Sequence, residues 1–469
     1  MKKTPFKITA VLAAGLMWAG ASAGDSGAGP GKTLTMDDFI KTTVAKDSSF
    51  EEILTGRLAL KYSKDLALPA KDLILSIKSQ NEFYLNQDRS DPRIAVSLSK
   101  LFPYSGSEVS AEYSATPYSG AEGVSSLIAL YFSQPIAQNA FGKATLLQDR
   151  ITGAETEIAG YQITEAYEDY LASAMVVYYN WYSAFENLKI GNSSYEQSLK
   201  LLENIQKRQK SNIALPIDVN KIRIQVLGKK ENLITLEKEY DATLNLIKQA
   251  IRYEGEALLE PASPFKINKA AIAFEKEYRK FADSSRTYEI LKLLEKTSSL
   301  NVDKYADNLL PSTNLLFGLK INGDDFGVKG SDSDLYAGVS LKWLFSDQAG
   351  RARHELARIS DKTTRLSNAS KYARLKTDLK NLFLRIERER ELIETSDEKI
   401  DLSRLILADE TVNYSYGKVS LNDLITAVNR IDDNNFNKLN HLVRYKVLMT
   451  EWLRITDQLV SAKELKKKK

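Results

Sequence analysis

The sequence predicts a mainly α-helical chain that also carries the strands of a transmembrane β-barrel. It is built as two tandem repeats, each of strands followed by a long coiled-coil helical hairpin. Three observations predict this. Apolar residues recur every seven positions in two long proline-free stretches, they alternate every second position ahead of each stretch, and the two stretches correspond at a constant offset of 205 residues.

The N-terminus has the form of a secretory signal peptide over residues 1–23. Lys2 and Lys3 precede an apolar run from Ile8 to Ala19, and small residues follow at Ala21-Ser22-Ala23, so cleavage is expected after Ala23. No cysteine occurs among the 469 residues, which leaves no disulfide framework, no thiolate metal site and no cysteine to carry a lipid anchor. Beyond the leader there is no apolar run of 18 residues, so any membrane crossing must be a closed β-barrel. With 65 basic and 61 acidic residues the charge is nearly balanced, and no broad basic field argues for nucleic acid. The basic tail, 462–469, reads as a solvated end.

In the second half Leu379, Ile386, Ile393, Ile400, Leu407 and Tyr414 hold a spacing of seven; in the first half Ala174, Trp181, Leu188, Tyr195 and Leu202 do the same. A seven-residue period held over many turns implies underwound helices in a left-handed supercoil. The intervening sites Glu389, Ser396, Ser403 and Glu410 are polar, which suits a helix lined by water on one side and by neighbours on the other better than a solitary zipper. The long helices are expected near Asn139–Ser211 and Ala349–Tyr416, each about 100 Å long at about 1.5 Å per residue. Each ends in a turn, and Asn212 and Gly417, which correspond at the repeat offset, are residue types that tolerate the left-handed conformation closing a helix. Apolar residues at spacings of three, four and seven then mark a shorter returning helix in each half, Ile222 to Ile251 and Leu424 to Leu453.

Ahead of the hairpins the period is two. Leu73, Leu75, Ile77; Ile94, Val96, Leu98; and Ile128, Leu130, Phe132 alternate with small or polar neighbours, as do Leu315 to Ile321 and Leu335 to Trp343 in the second half. That pattern fits a barrel with lipid outside and water inside, and equally a half-buried soluble sheet; export and the lack of a second apolar layer favour lipid. Residues 108–115 are a possible extra strand. Four or so strands cannot close a barrel, whose smallest common form has about eight, so copies must pool them. The expected segments are 24–71, helical; 72–136, strands; 137–255, hairpin; 256–310, a linker with a short helix; 311–346, strands; and 347–461, hairpin.

This organisation resembles the TolC-like outer-membrane efflux family over essentially the whole mature chain. The stretch Tyr414-Ser415-Tyr416-Gly417-Lys418-Val419-Ser420-Leu421-Asn422-Asp423-Leu424 is similar to the family's aromatic-x-x-glycine turn followed by an Asp-hydrophobic pair, and Asn212 to Val219 is its first-half version. Further matches are Leu68-Pro69 and Leu310-Pro311, the glycines Gly142 and Gly350, and the segment Leu34-Thr35-Met36-Asp37-Asp38-Phe39. The resemblance implies a homotrimer forming an α/β-barrel tunnel in the outer membrane of a Gram-negative bacterium, with its helical part in the periplasm. It implies a passive conduit that serves efflux or type I secretion with a periplasmic adaptor and an inner-membrane transporter, and it implies no cofactor. It places Asp423 and Asp218 at a pore entrance and Tyr414 with Asp218 at a tip latch. Val419 stands where some members carry a basic residue, and Thr426 where many carry a second aspartate. Apart from the resemblance, Asp218 and Asp423 each follow a turn, where a carboxylate favours a helix N-terminus.

No catalytic pattern competes. His354 and His441 lie on expected helices without a ligand motif and read as surface residues, and there is neither a phosphate-binding glycine loop nor a GxSxG turn. The few methionines and histidines weakly disfavour soft-metal cargo. The rival reading is a periplasmic coiled-coil structural or adaptor protein, which shares the helices but has no need of alternating strands before both hairpins.

Overall fold

The computed structural model describes residues 32–68, 72–84, 89–117, 123–255, 258–265, 273–326 and 332–460; the expected signal peptide and basic tail lie outside them. The chain opens with β1 (Lys32–Leu34) and three helices, α1 (Met36–Lys46), α2 (Ser48–Ala59) and α3 (Ser63–Ala67). Four strands follow: β2 (Leu73–Tyr84), β3 (Arg89–Phe102), β4 (Ser107–Pro117) and β5 (Val124–Pro135). The first hairpin is α4 (Lys143–Lys210) and α5 (Pro216–Ala250). After β6 (Leu259–Pro261), α6 (Phe274–Ser284) and α7 (Arg286–Asp307) come β7 (Ser312–Gly323) and β8 (Asp332–Lys342), then the second hairpin, α8 (Gln348–Ser415) and α9 (Leu421–Ile455).

The repeat is carried by the backbone. α4 and α8 both have 68 residues, α5 and α9 both have 35, and every boundary lies at the 205-residue offset. Three pairs of left-handed residues mark the same joints. Phe141 (φ 48°) matches Ser346 (φ 59°) before the long helix, Asn212 (φ 57°) matches Gly417 (φ 71°) at the tip, and Arg252 (φ 47°) matches Asp457 (φ 59°) after the return. No proline interrupts either long helix, so nothing removes a backbone donor along their length.

The seven-residue series packs the seams. Trp181 is fully buried between the hairpins, Leu379, Ile386 and Ile393 are buried against α9 and its neighbours, and Ile400 is buried further along α8. The polar sites depart from the expected water-lined face: Glu389, Ser396 and Ser403 are all buried. They are accommodated because α9 supplies partners. Asn434 donates to Ser403 at 2.8 Å, and His441 Nδ1 lies 2.9 Å from Glu389 Oε2. His441 and His354 are thus half-buried rather than surface residues.

The segment expected as a linker with one short helix holds two helices, and α7 runs for 22 residues. It also supplies β6, which pairs in parallel with β1, a contact absent from the sequence reading. The start of α7 anchors the end of the chain. Arg286 pairs with Glu168 of α4 and, at 2.8 Å, with Asp457; its backbone N–H donates to Asp457 at 2.7 Å, and Val460 N–H donates to Glu168 at 3.1 Å. Burial raises the Glu168 carboxyl above the ordinary range, against the pull of Arg286.

Strands β2 to β5, β7 and β8 form one six-stranded sheet in that order, every neighbour antiparallel. The possible extra strand is β4, and it sits inside the sheet between β3 and β5. Register fixes two faces. One row crosses the sheet as Leu75, Leu98, Ala111, Leu130, Leu319 and Leu335, and on this face Leu75, Leu98, Leu130, Phe317, Leu335, Val339 and Leu341 are all exposed. The adjacent row on the other face reads Ser76, Ser97, Glu112, Ala129, Lys320 and Asp334. An exposed apolar face opposite a polar one is the arrangement of a barrel strand set. At the rim from which the helices leave, the Trp343 and Phe345 rings pack in a tilted pair with centroids 5.0 Å apart and the Lys100 ammonium lies 5.5 Å from the Phe102 ring, residue types that sit at a membrane boundary. No helix among the described residues is long and apolar enough to cross a membrane.

Candidate functional site at the hairpin tips

Both hairpins turn by the same geometry. At the end of α4, Ile213 N–H reaches back to the Arg208 carbonyl at 2.9 Å around left-handed Asn212; at the end of α8, Lys418 N–H reaches the Asn413 carbonyl at 2.9 Å around left-handed Gly417. These bonds satisfy carbonyls that the helix end would otherwise leave open.

The two acidic positions sit three residues into the returning helices. Asp218 accepts from Leu215 N–H at 3.2 Å, and Lys221 lies 3.9 Å away. Asp423 accepts from the Ser420 N–H at 3.0 Å and from its hydroxyl at 2.7 Å, while Asp423 N–H donates back to Ser420 Oγ at 3.3 Å. This reciprocal bonding is a capping box, and the Ser420 hydroxyl chiefly holds the Asp423 carboxyl below the ordinary carboxylate range. Within one chain each carboxylate is therefore engaged at a helix N-terminus. Asp423 is nonetheless exposed, with room for a second role.

The tips pack on one another. Ile205, Val219, Ile222 and Leu421 form a buried cluster with Tyr414 and Ile425 against it, joining residues of all four long helices. Tyr414 carries the Arg208 guanidinium 4.9 Å from its ring centroid, and burial raises its hydroxyl pKa, with the Asp218 charge adding to the rise. The sequence reading missed Arg208. Its signal was the basic last turn of α4, Lys207, Arg208 and Lys210, which complements the helix C-terminus.

Behind the tips a polar seam ties α5 to α9. Gln225 donates to Asn429 at 2.5 Å, and Lys229 pairs at 2.8 Å with buried Asp432, which also accepts from Ser194 of α4. Among the described residues no cluster of three or more histidine, aspartate or glutamate side chains is placed to hold a metal ion.

No protein-family model matches the sequence, and no curated protein matches it. Solved structures do. The outer membrane protein VceC of Vibrio cholerae superimposes with a TM-score of 0.68 at 9% identity, covering 90% of this chain and 95% of its own. The CmeC outer membrane channel of Campylobacter jejuni gives 0.65 at 13% identity, covering 92% and 88%. The MtrE outer membrane channel of Neisseria gonorrhoeae, in its open state, gives 0.64 at 12%, covering 90% and 89%. The chain has the outer-membrane channel fold. In that channel fold the expected order of strands and hairpins holds from β2 to α9, and the tips described above are the end farthest along the chain from the sheet.

Proposed function

We propose that the protein is a passive outer-membrane conduit, the exit channel of a tripartite efflux or type I secretion system. The observation that carries this reading is the six-stranded sheet. Its apolar face is exposed and, among the described residues, the outer edges of β2 and β8 are unpaired, yet six strands are too few to close alone. Lipid cannot satisfy open strand edges, so copies must pool their strands. Three copies then form one barrel, and their hairpins form one tunnel on the periplasmic side. A periplasmic adaptor and an inner-membrane transporter supply the cargo, and the chain itself needs no cofactor.

Exposed Asp423 is assigned to the tunnel entrance, where three copies brought together concentrate a field that favours cations. Asp218 is assigned to the same entrance, and Tyr414 to the contact that holds the tips. The exposed apolar sheet disfavours a soluble adaptor. The test is fractionation followed by conductance. The mature protein is expected in the outer membrane as a detergent-stable trimer, and in a planar bilayer Asp423→Ala lowers cation preference with trimer yield unchanged. A monodisperse soluble monomer in periplasmic extract overturns the channel. Selectivity that ignores Asp423 removes only its pore role.

A further inference from the structure

The two halves of the repeat contribute unequal numbers of strands. Shifted by the repeat offset, β7 and β8 fall on β4 and β5, which leaves β2 and β3 without a second-half counterpart. The flanking chain shows the same insertion. β7 begins within five residues of the end of α7, whereas α3 ends at Ala67 and β4 starts only at Ser107. Four repeat-related strands per copy suffice for a twelve-stranded ring of three, so the added hairpin either widens the wall or lies outside it.

We propose that β2 and β3 are wall strands, so that β2 of one copy pairs with β8 of the next and three copies close an eighteen-stranded barrel. This rests on the threefold channel reading above. Three observations support the wall position. First, the hairpin has the length: 12 and 14 residues, where about 9 to 11 tilted residues cross the hydrocarbon core. Second, it has the faces. Leu73, Leu75, Ile77, Ile94 and Leu98 are exposed on the same side as the apolar row of β5 to β8, with Ser76, Lys78, Ala95, Ser97 and Ser99 on the other. A hairpin folded into a watery lumen would expose those leucines and isoleucines to water on the one side and leave its own edges unpaired in lipid-free space for no gain in burial. Third, parity suits closure. Strands alternate in direction along the six, so β2 and β8 run opposite ways, and joining copies edge to edge continues the antiparallel order without a break.

The consequence is a wider outer mouth. With strands about 4.8 Å apart and tilted about 40°, eighteen strands give a backbone diameter of about 36 Å and twelve about 24 Å.

The natural chain has no cysteine, so introduced pairs report without background. Ser76→Cys in β2 is combined in turn with Asp334→Cys, Tyr336→Cys, Gly338→Cys or Ser340→Cys in β8, and Ser110→Cys in β4 is combined with the same four, all oxidised in intact outer membranes. Covalent trimers are expected from a β2 with β8 pair and from none of the β4 with β8 pairs, while Ser99→Cys with Ser110→Cys closes within one chain. Links between chains from β4 to β8, or no link between chains from β2 to β8, overturn the inference. Electron cryomicroscopy of the detergent-solubilised protein counts the strands directly. A threefold ring of twelve overturns the added wall strands and leaves the channel standing, whereas a monomer with an open sheet overturns both.

Discussion

The two halves of the molecule share a backbone and differ in the residues that hold its joints. The tip turns around asparagine in one half and glycine in the other, at φ 57° and 71°. The residue preceding the returning helix is Leu215 in the first half, with no side-chain oxygen to offer, and Ser420 in the second, within a full capping box. After that helix the left-handed residue is Arg252 in one and Asp457 in the other, and only Asp457 is tied to α7 through Arg286. Joints of one shape with different chemistry show that the shape is set by the length and packing of the hairpins; the local residues adjust how tightly each joint is held.

That difference can be broken at its strongest point by removing the second-half anchor. Arg286→Met leaves Glu168 buried without its cation, and the expected cost is about 3 to 5 kcal/mol; Arg252→Met at an exposed position should stay within about 0.5 kcal/mol. Denaturant melts of the assembled protein compare the two. In the sheet the halves should instead behave alike. Leu130→Arg is expected to cost about 2 to 4 kcal/mol near the membrane midplane, and Leu335→Arg, its repeat counterpart in the same outward row, should also impair assembly, while Ser340→Arg on the polar face assembles nearly normally. Trimer yield on unheated gels decides this, and equal yields from Leu130→Arg and Ser340→Arg would contradict a lipid-facing row.

The tips offer a finer comparison. Gly417→Ala forces a Cβ into the left-handed region and should cost about 1 to 2 kcal/mol, and Gly417→Asn, copying the first half, should cost less. Ser420→Ala removes a cap and should cost about 1 kcal/mol, whereas Leu215→Ser adds one and should stabilise by about as much; amide exchange at the two tips reads both. The smallest effect is set by pH. Because Asp423 has a depressed folded pKa, its contribution is complete above the unfolded value of about 3.9 and is lost as pH falls through the lower folded value. Acid should therefore loosen the second tip, and Asp423→Asn should flatten that dependence.

Much of this was legible along the chain. The hairpins were, because a seven-residue period without proline over 68 residues admits few other structures, and the strands were, because alternation of period two marks both faces at once. The linker was not: α7 has no long period to announce it, and the β1 with β6 pairing joins segments more than two hundred residues apart. At the site, the turn residues and the two aspartates could be placed by repetition, yet Arg208 on Tyr414 and the Lys229 with Asp432 pair arise only when two hairpins meet. The inward turn of Glu389 and Ser403 escaped for the same reason, since their partners His441 and Asn434 lie on the next helix.

An even number of alternating strands brings the chain back to the rim it left. α3, α4, α7 and α8 all join the sheet at that rim, as does the turn from β3 to β4, while the facing strand ends Tyr84 and Arg89, Pro117 and Val124, and Asn322 and Asp332 all fall at the opposite one. The molecule is thereby divided into a face that cannot drift without disturbing the helices and a face that can. Sequence change at that far rim can therefore accumulate at the strand ends without reaching the joints from which the hairpins leave.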